Sequence, residues 1–118
     1  MRQTILVFAV VFCGIFAHGQ NAPEMLTGAS LKKSCEMALN GGQKKPDDYV
    51  DAGVCIGEVS ATAYVMSVLK IISVPKEVSV EDELRVVVKF LDANPTELNL
   101  RDASLVGSAL VSVWGTKK

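Results

Sequence analysis

Two cysteines separated by 20 positions, Cys35 and Cys55, constrain the fold of this chain more than any other feature. The third cysteine, Cys13, lies in an apolar N-terminal segment that we expect to be removed, which leaves the other two as a pair. In an oxidising compartment, a disulfide between them is the expected state. In the chain-entropy model, closing a loop of about 20 residues stabilises a small domain by about 3 kcal/mol. The pair therefore predicts a covalent link between two segments of one small domain.

Residues 1–20 have the three parts of a secretory signal peptide. Arg2 supplies a positive charge, Ile5 to Phe16 form an apolar core, and Ala17-His18-Gly19 is a small-x-small cleavage site. The alternative is an uncleaved membrane anchor, but this core of 12 residues is shorter than the roughly 20 that a bilayer span needs. We therefore predict an exported protein whose mature domain consists of residues 21–118, with no membrane contact after cleavage.

Removal of the signal peptide narrows the chemistry that the mature chain can perform. His18 and Arg2 leave with it, so that 11 basic residues stand against 13 acidic ones, a net charge of −2. Without histidine, Ser-His-Asp catalysis, Cys-His catalysis and histidine-containing zinc sites are excluded. Scattered basic residues and a mild negative charge argue against nucleic acid as a partner. An enzyme built on a carboxylate pair stays open, because distances in space are invisible here. We predict a protein that acts by binding, without a cofactor.

Hydrophobic periodicity predicts four helices, and therefore a small, disulfide-stapled, all-α bundle. Asn40-Gly41-Gly42 is expected to end the first helix, because Asn and Gly tolerate the left-handed conformation that closes a C-terminus. Ser79 is expected to cap the third helix, and Asn94-Pro95 to end it. The predicted helices run from Ala29 or Ser30 to Leu39, from Asp48 to about Ile72, from Ser79 to Asn94, and from Thr96 or Asn99 to Trp114.

The second predicted helix is the longest and the most apolar, so we expect it to be central in the bundle. Strands are the rival interpretation, because valine and isoleucine are frequent over residues 65–74, but 25 residues without a turn signal favour a helix. Two apolar stripes are expected to face the other helices. They consist of Val54, Ala61, Val65, Val68 and Ile72, and of Cys55, Val59, Met66 and Leu69. The expected inner face of the fourth helix consists of Ala103, Val106, Leu110 and Val113, with Trp114 as an anchor at the end of the core.

The polar segment between the paired cysteines is the candidate contact site. Pro46, Asp47 and Asp48 fit the start of a helix, where the backbone donors and the positive end of the dipole favour carboxylates. One interpretation is a solvated connector with ordinary capping, and the other is a recognition loop held at both ends by the disulfide. With Asp51, these aspartates lack the spacing of a calcium loop, so we assign no metal site. The candidate partner-binding residues are Gly42, Gln43, Lys44, Lys45, Asp47 and Asp48.

Several short segments, taken in their order along the chain, carry a resemblance. They are Leu31-(x)3-Cys35, Val54-Cys55-Ile56-Gly57, Val74-Pro75 with Val78-Ser79, Val86-Val87-Val88-Lys89-Phe90-Leu91 with Asn94-Pro95, and Ala103 through Leu110 with Trp114. In this order and spacing the mature chain resembles the Tai-type (Rap/Tai) immunity proteins, which protect bacteria against peptidoglycan amidase toxins delivered by type VI secretion. Members often carry a second cysteine pair, which by this alignment falls at Ser73 and Thr116. Its absence here implies a chain end tied less firmly than in relatives.

The resemblance implies a periplasmic, all-α protein with a Tai-like or HdeA-like bundle that is often dimeric. It implies that the protein binds a cognate amidase or endopeptidase effector and blocks its active site, with the loop from Gly41 to Asp48 as the expected contact. Two other interpretations stay open. One is a small periplasmic acid-stress chaperone that resembles the HdeA type, and the other is an exported helical domain with an unknown partner.

Overall fold

The computed structural model describes residues 27–117, so the predicted signal peptide at residues 1–20 lies outside the described part. Within that part the chain forms four α-helices, and a single 3-10 turn, Pro95–Glu97, precedes the last of them. The prediction of a small all-α bundle is confirmed. The helices are α1, Gly28–Asn40; α2, Pro46–Val68; α3, Val80–Ala93; and α4, Asp102–Trp114.

Capping groups fix the beginning and the end of α1. At its N-terminus the Ser30 hydroxyl donates to the Thr27 carbonyl oxygen over 2.9 Å, and the helix begins at Gly28. Gly28 lies where α1 meets the start of α4: a Cβ there would overlap Leu105 and lie 3.1 Å from the Leu98 Cα. At the other end Gly41 adopts a left-handed conformation with φ of 62°. The predicted stop is therefore confirmed, and the start lies one or two residues earlier than predicted.

The core is formed where the four helices face each other. In α3 the predicted Ser79 cap is confirmed, since its side chain accepts from the Asp82 N–H. In α4, Ala103 and Val113 were predicted to face inward and are exposed. Val106 and Leu110 of that predicted face are buried, but the buried side of α4 is centred between Leu105 and Leu110, so Ala103 lies at its edge and Val113 in the last turn. The buried apolar residues are Leu31, Cys35, Ala52, Cys55, Val59, Ala63, Ile72, Leu84, Val87, Leu91, Leu105, Val106, Ala109 and Leu110.

The end of α2 differs from the prediction. The helix ends at Val68 instead of continuing to about Ile72. Lys70 takes a left-handed conformation with φ of 57°. Its N–H donates to the Ser67 carbonyl over 3.0 Å, and the Ile71 N–H donates to the Met66 carbonyl over 2.9 Å. This pattern is a Schellman closure, which glycine usually provides. Because a lysine occupies the left-handed position, the sequence carried no stop signal there.

The orientation of α2 also differs from the prediction. Its buried residues include Cys55 and Val59, which belong to the second predicted stripe, although Leu69 of that stripe is 63% exposed. The first predicted stripe faces solvent over its helical part: Val54, Ala61, Val65 and Val68 are exposed. Only Ile72 of that stripe is buried, and it lies beyond the helix. Helix α2 contacts the three other helices with one side only, so its opposite apolar side stays uncovered.

The C-terminal end of α4 is held to the segment after α2. Ile72 and Gly115 form an isolated antiparallel bridge. The Ser73 N–H donates to the Trp114 carbonyl over 2.8 Å, and the Thr116 N–H donates to the Ile71 carbonyl over 3.0 Å. Trp114 packs against the core, as predicted. Among the helices of residues 27–117, none has the combination of length and hydropathy that a bilayer span requires.

Candidate functional site

The predicted disulfide between Cys35 and Cys55 is confirmed and links α1 to α2. The two Cα atoms are 5.2 Å apart, and the sulfur atoms are bonded. Both residues are fully buried and belong to the core cluster. Cys35 lies five residues before the end of α1 and Cys55 nine residues after the start of α2, so the disulfide fixes against each other the two helices that flank the connecting loop, residues 41–45.

Two of the six predicted contact residues hold this loop in place. One carboxylate oxygen of Asp48 accepts from the backbone N–H of Lys44 over 2.9 Å and from that of Lys45 over 3.0 Å. These two bonds, that of Lys44 first, lower the pKa of Asp48 below its ordinary value. On the α1 side, the Gln43 amide donates to the Met37 carbonyl over 2.8 Å. Gln43 and Asp48 therefore stabilise the conformation of the loop through these hydrogen bonds.

The other four predicted contact residues point into solvent. Gly42, Lys44, Lys45 and Asp47 are all exposed. A Cβ at Gly42 would meet nothing within 4 Å. In the described part of the chain the ion pairs involve Lys32 and Arg85, and neither loop lysine is among them. The loop thus presents two adjacent cations and one carboxylate on a backbone braced by Asp48, Gln43 and the disulfide.

A second cluster, which the sequence did not reveal, joins α2 to the start of α4. The partly buried Glu58 carboxyl lies beside Asp102, a residue that is only 4% exposed. Burial first, and then the charge and the hydrogen bond of Asp102, raise the pKa of Glu58 to about 7. Asp102 lies in the first turn of α4 and accepts from the Ala103 N–H over 2.7 Å.

This carboxyl pair makes stability depend on pH near neutrality. Between about pH 4.5 and pH 7 the folded chain keeps the Glu58 proton that the unfolded chain releases, so stability falls as the pH rises. We expect Glu58→Gln to remove most of this loss, which after discounting for solvent screening amounts to about 1–2 kcal/mol. Urea unfolding at pH 4 and pH 8 measures it, with Glu77→Gln at an exposed position as the control. A pH dependence equal to that of the unsubstituted protein would contradict the assignment.

A cleft of about 410 Å³ lies between the start of α1 and α2. Lys33 and Asp51 give it one charge of each sign, and the Ser30 hydroxyl in its wall is used to cap α1. No imidazole or thiol lines it. The cleft therefore suits the binding of a polar or short apolar side chain of a partner better than it suits catalysis. Its lining residues are Thr27, Ala29, Ser30, Lys33, Ser34, Asp51 and Val54.

The solvent side of α2 carries the uncovered apolar face, which we call the α2 seam. Its residues follow each other at spacings of 4, 3, 4, 3 and 4, and all are exposed. The spacing of these apolar residues is visible in the sequence, but it does not reveal which molecule covers them. Val54, Ala61 and Val68 were therefore predicted to face the other helices. The α2 seam consists of Val50, Val54, Gly57, Ala61, Tyr64 and Val68.

Scans against known protein families, curated proteins and solved structures found no match for this chain. Within residues 27–117, no three histidine, cysteine, aspartate or glutamate side chains are grouped closely enough to hold a metal ion. Four features are thus the candidates for function: the braced loop, the carboxyl pair, the cleft between α1 and α2, and the α2 seam.

Proposed function

We propose that this chain is a periplasmic immunity protein that binds a peptidoglycan amidase toxin of a type VI secretion system and blocks its active site. The observation that carries the proposal is the braced loop between α1 and α2. Its exposed side chains, Lys44, Lys45 and Asp47, stand on a backbone whose conformation is already fixed by Asp48. A rigid loop loses little conformational entropy on binding, which favours tight association with a protein surface.

The pairing at the chain end agrees with the resemblance to the Tai-type immunity proteins. In that family a second cysteine pair is often present at the positions that correspond to Ser73 and Thr116. Here Ser73 donates to Trp114 and Thr116 donates to Ile71, so the two segments lie side by side. The arrangement supports the alignment, because a disulfide between these segments requires them to be close.

A protection assay in bacteria tests the proposal. We expect a host that exports the amidase encoded beside this gene to lyse, and to survive when it also produces the full chain. A chain without residues 1–20 is the control: it should stay in the cytoplasm and fail to protect, because toxin and inhibitor would then be in different compartments. Lysis that the full chain does not reduce, although it accumulates in the periplasm, would reject the proposal.

The uncovered α2 seam favours a second candidate, an acid-stress chaperone that resembles the HdeA type, because such a protein binds clients through apolar surface. Lowering the pH would decrease the stability that some carboxylates contribute and increase the stability that another contributes. The pKa values of Asp48 and Asp82 are lowered by hydrogen bonds, for Asp82 chiefly that of Ser79, so the stability these carboxylates contribute is lost as the pH falls below their ordinary values. The pKa of Glu58 is raised, so the stability that this carboxyl contributes is present at low pH and is lost as the pH rises. Unchanged circular dichroism at about pH 2 to 3, with no suppression of client aggregation, would eliminate this candidate.

A further inference from the structure

The cleft between the start of α1 and α2 is lined by two opposite charges that do not pair with each other. Lys33 lines it from α1 and Asp51 lines it from α2. Within residues 27–117 the ion pairs are those of Lys32 and Arg85, and neither charge of the cleft takes part in them. Neither side chain takes part in a hydrogen bond of the described chain. A ligand that carries one charge of each sign would satisfy both.

The disulfide holds the two walls of this cleft in place. Ser34 immediately precedes Cys35 on α1, and Val54 immediately precedes Cys55 on α2, and both of these neighbours line the cleft. The Cα atoms of the two cysteines are 5.2 Å apart, and both cysteines are fully buried. The cleft is therefore formed before any ligand arrives, which reduces the entropy that binding costs.

The rest of the lining combines hydroxyl groups with small apolar groups. The Ser34 hydroxyl makes no hydrogen bond within the described chain, so it can donate to a ligand or accept from it. The Ser30 hydroxyl is engaged in the cap of α1. Ala29 and Val54 add short apolar surface. The volume of about 410 Å³ lies near the lower end of the range of about 300–1,000 Å³ for small-molecule sites. These dimensions suit a small ligand with short side chains.

We propose that the cleft binds a short peptide of about two small residues in its zwitterionic form. The ammonium group of the peptide meets the Asp51 carboxylate, and its terminal carboxylate meets the Lys33 ammonium group. Two extended residues span about 7 Å, so one ligand reaches both charges. Hydrogen bonds between charged groups are about twice as strong as those between neutral groups. The short side chains of the peptide lie against Ala29 and Val54.

The charges around the cleft agree with this orientation. The pKa of Asp48 is lowered first by the hydrogen bonds from the Lys44 and Lys45 N–H groups, and less by the cations of Lys45 and Lys33. The Asp48 carboxylate is thus already satisfied by backbone donors, which leaves the three N–H donors of Lys33 for a ligand. A ligand with only one charge would leave either Asp51 or Lys33 facing it without a partner. This inference is independent of the proposed function.

Titration of the purified, oxidised protein with dialanine, followed by the amide NMR signals of the isotope-labelled protein, tests the proposal. We expect saturable shifts centred on Ser34, Asp51 and Val54. The expected dissociation constant is on the order of a millimolar for a ligand of about 11 non-hydrogen atoms. Acetyl-dialanine lacks the ammonium group and dialanine amide lacks the carboxylate, so each should bind about tenfold more weakly or worse. Equal affinity for either blocked peptide, or no saturable shift at tens of millimolar, would overturn the proposal.

Substitutions of the two charges test which group of the peptide each one meets. We expect Asp51→Asn and Lys33→Gln each to raise the dissociation constant of dialanine about tenfold. Asp51→Asn should also bind dialanine and acetyl-dialanine equally, and Lys33→Gln should bind dialanine and its amide equally. Glu77→Gln and Lys76→Gln remove the same charges at exposed sites outside the cleft and should leave the affinity unchanged. Circular dichroism establishes that all four variants are folded. Unchanged affinity in either cleft variant would overturn the proposal.

Discussion

Replacing both Cys35 and Cys55 by serine is expected to lower the free energy of unfolding by about 2–5 kcal/mol. The disulfide closes a long loop, and its loss restores conformational freedom to the unfolded chain. Both positions are fully buried in the core, so the two serine hydroxyls would also lack water. For a domain of this size the loss is a large part of the total stability. Urea unfolding of the oxidised protein and of the variant, followed by circular dichroism, measures the difference.

Reduction of the unsubstituted protein provides the matched control for this prediction. A reductant should reproduce most of the loss without any change of sequence, and should leave the serine variant unaffected. The exported protein should show no free thiol among the residues that the structure describes. Titration of two thiols in the protein as purified from the periplasm, or an equal stability with and without reductant, would contradict this account of the fold.

The double variant Lys44→Glu/Lys45→Glu is expected to weaken binding to the amidase by about 2–5 kcal/mol and to change stability little. The two glutamates would bring negative charge to the part of the partner that meets two cations in the unsubstituted protein. There they would be repelled or left unpaired at the interface. The folded chain itself does not use either side chain in an ion pair within the described residues. Calorimetric titration of the amidase with each protein measures the affinity, and thermal unfolding measures the stability.

Two further variants separate recognition from folding. Lys76→Glu/Lys89→Glu makes the same change of charge at exposed sites outside the loop, and should leave affinity nearly unchanged at physiological salt. Asp48→Asn, unlike the loop-lysine variant, should lower the melting temperature, because Asp48 holds the backbone of Lys44 and Lys45. Equal effects of both lysine pairs on affinity would indicate long-range attraction only, and would contradict contact through the loop.

The features that local chemistry determines could be predicted from the sequence. Gly41 ends α1 because glycine takes the left-handed conformation at no steric cost. Ser79 begins α3 because its hydroxyl satisfies a free backbone donor. The disulfide followed from the count of cysteines in a chain that we expected to be exported. In each case a few neighbouring residues contain the whole physical cause.

The features that depend on the tertiary arrangement could not be predicted. The end of α2 depends on Lys70 in a left-handed conformation, which lysine adopts only when the surrounding chain imposes it. The pairing of Glu58 with Asp102 joins residues far apart in sequence, and neither lies in a recognisable motif. Periodicity identified the apolar stripe that contains Val54 and Val68, but it could not distinguish a buried stripe from an uncovered one.

The bundle carries two separate exposed surfaces. The disulfide and Asp48 hold the loop between α1 and α2, whose Lys44, Lys45 and Asp47 side chains are exposed. The α2 seam offers a separate apolar surface on another side of the helix.

The most direct test of the central claim is a titration of peptidoglycan hydrolysis. The amidase that the proposal expects to be encoded beside this gene is held at a fixed concentration well above the dissociation constant, and the purified, oxidised protein is added in steps. The account predicts that hydrolysis falls linearly and reaches zero at one chain per amidase molecule. Full hydrolysis in the presence of a several-fold excess of folded protein would contradict it.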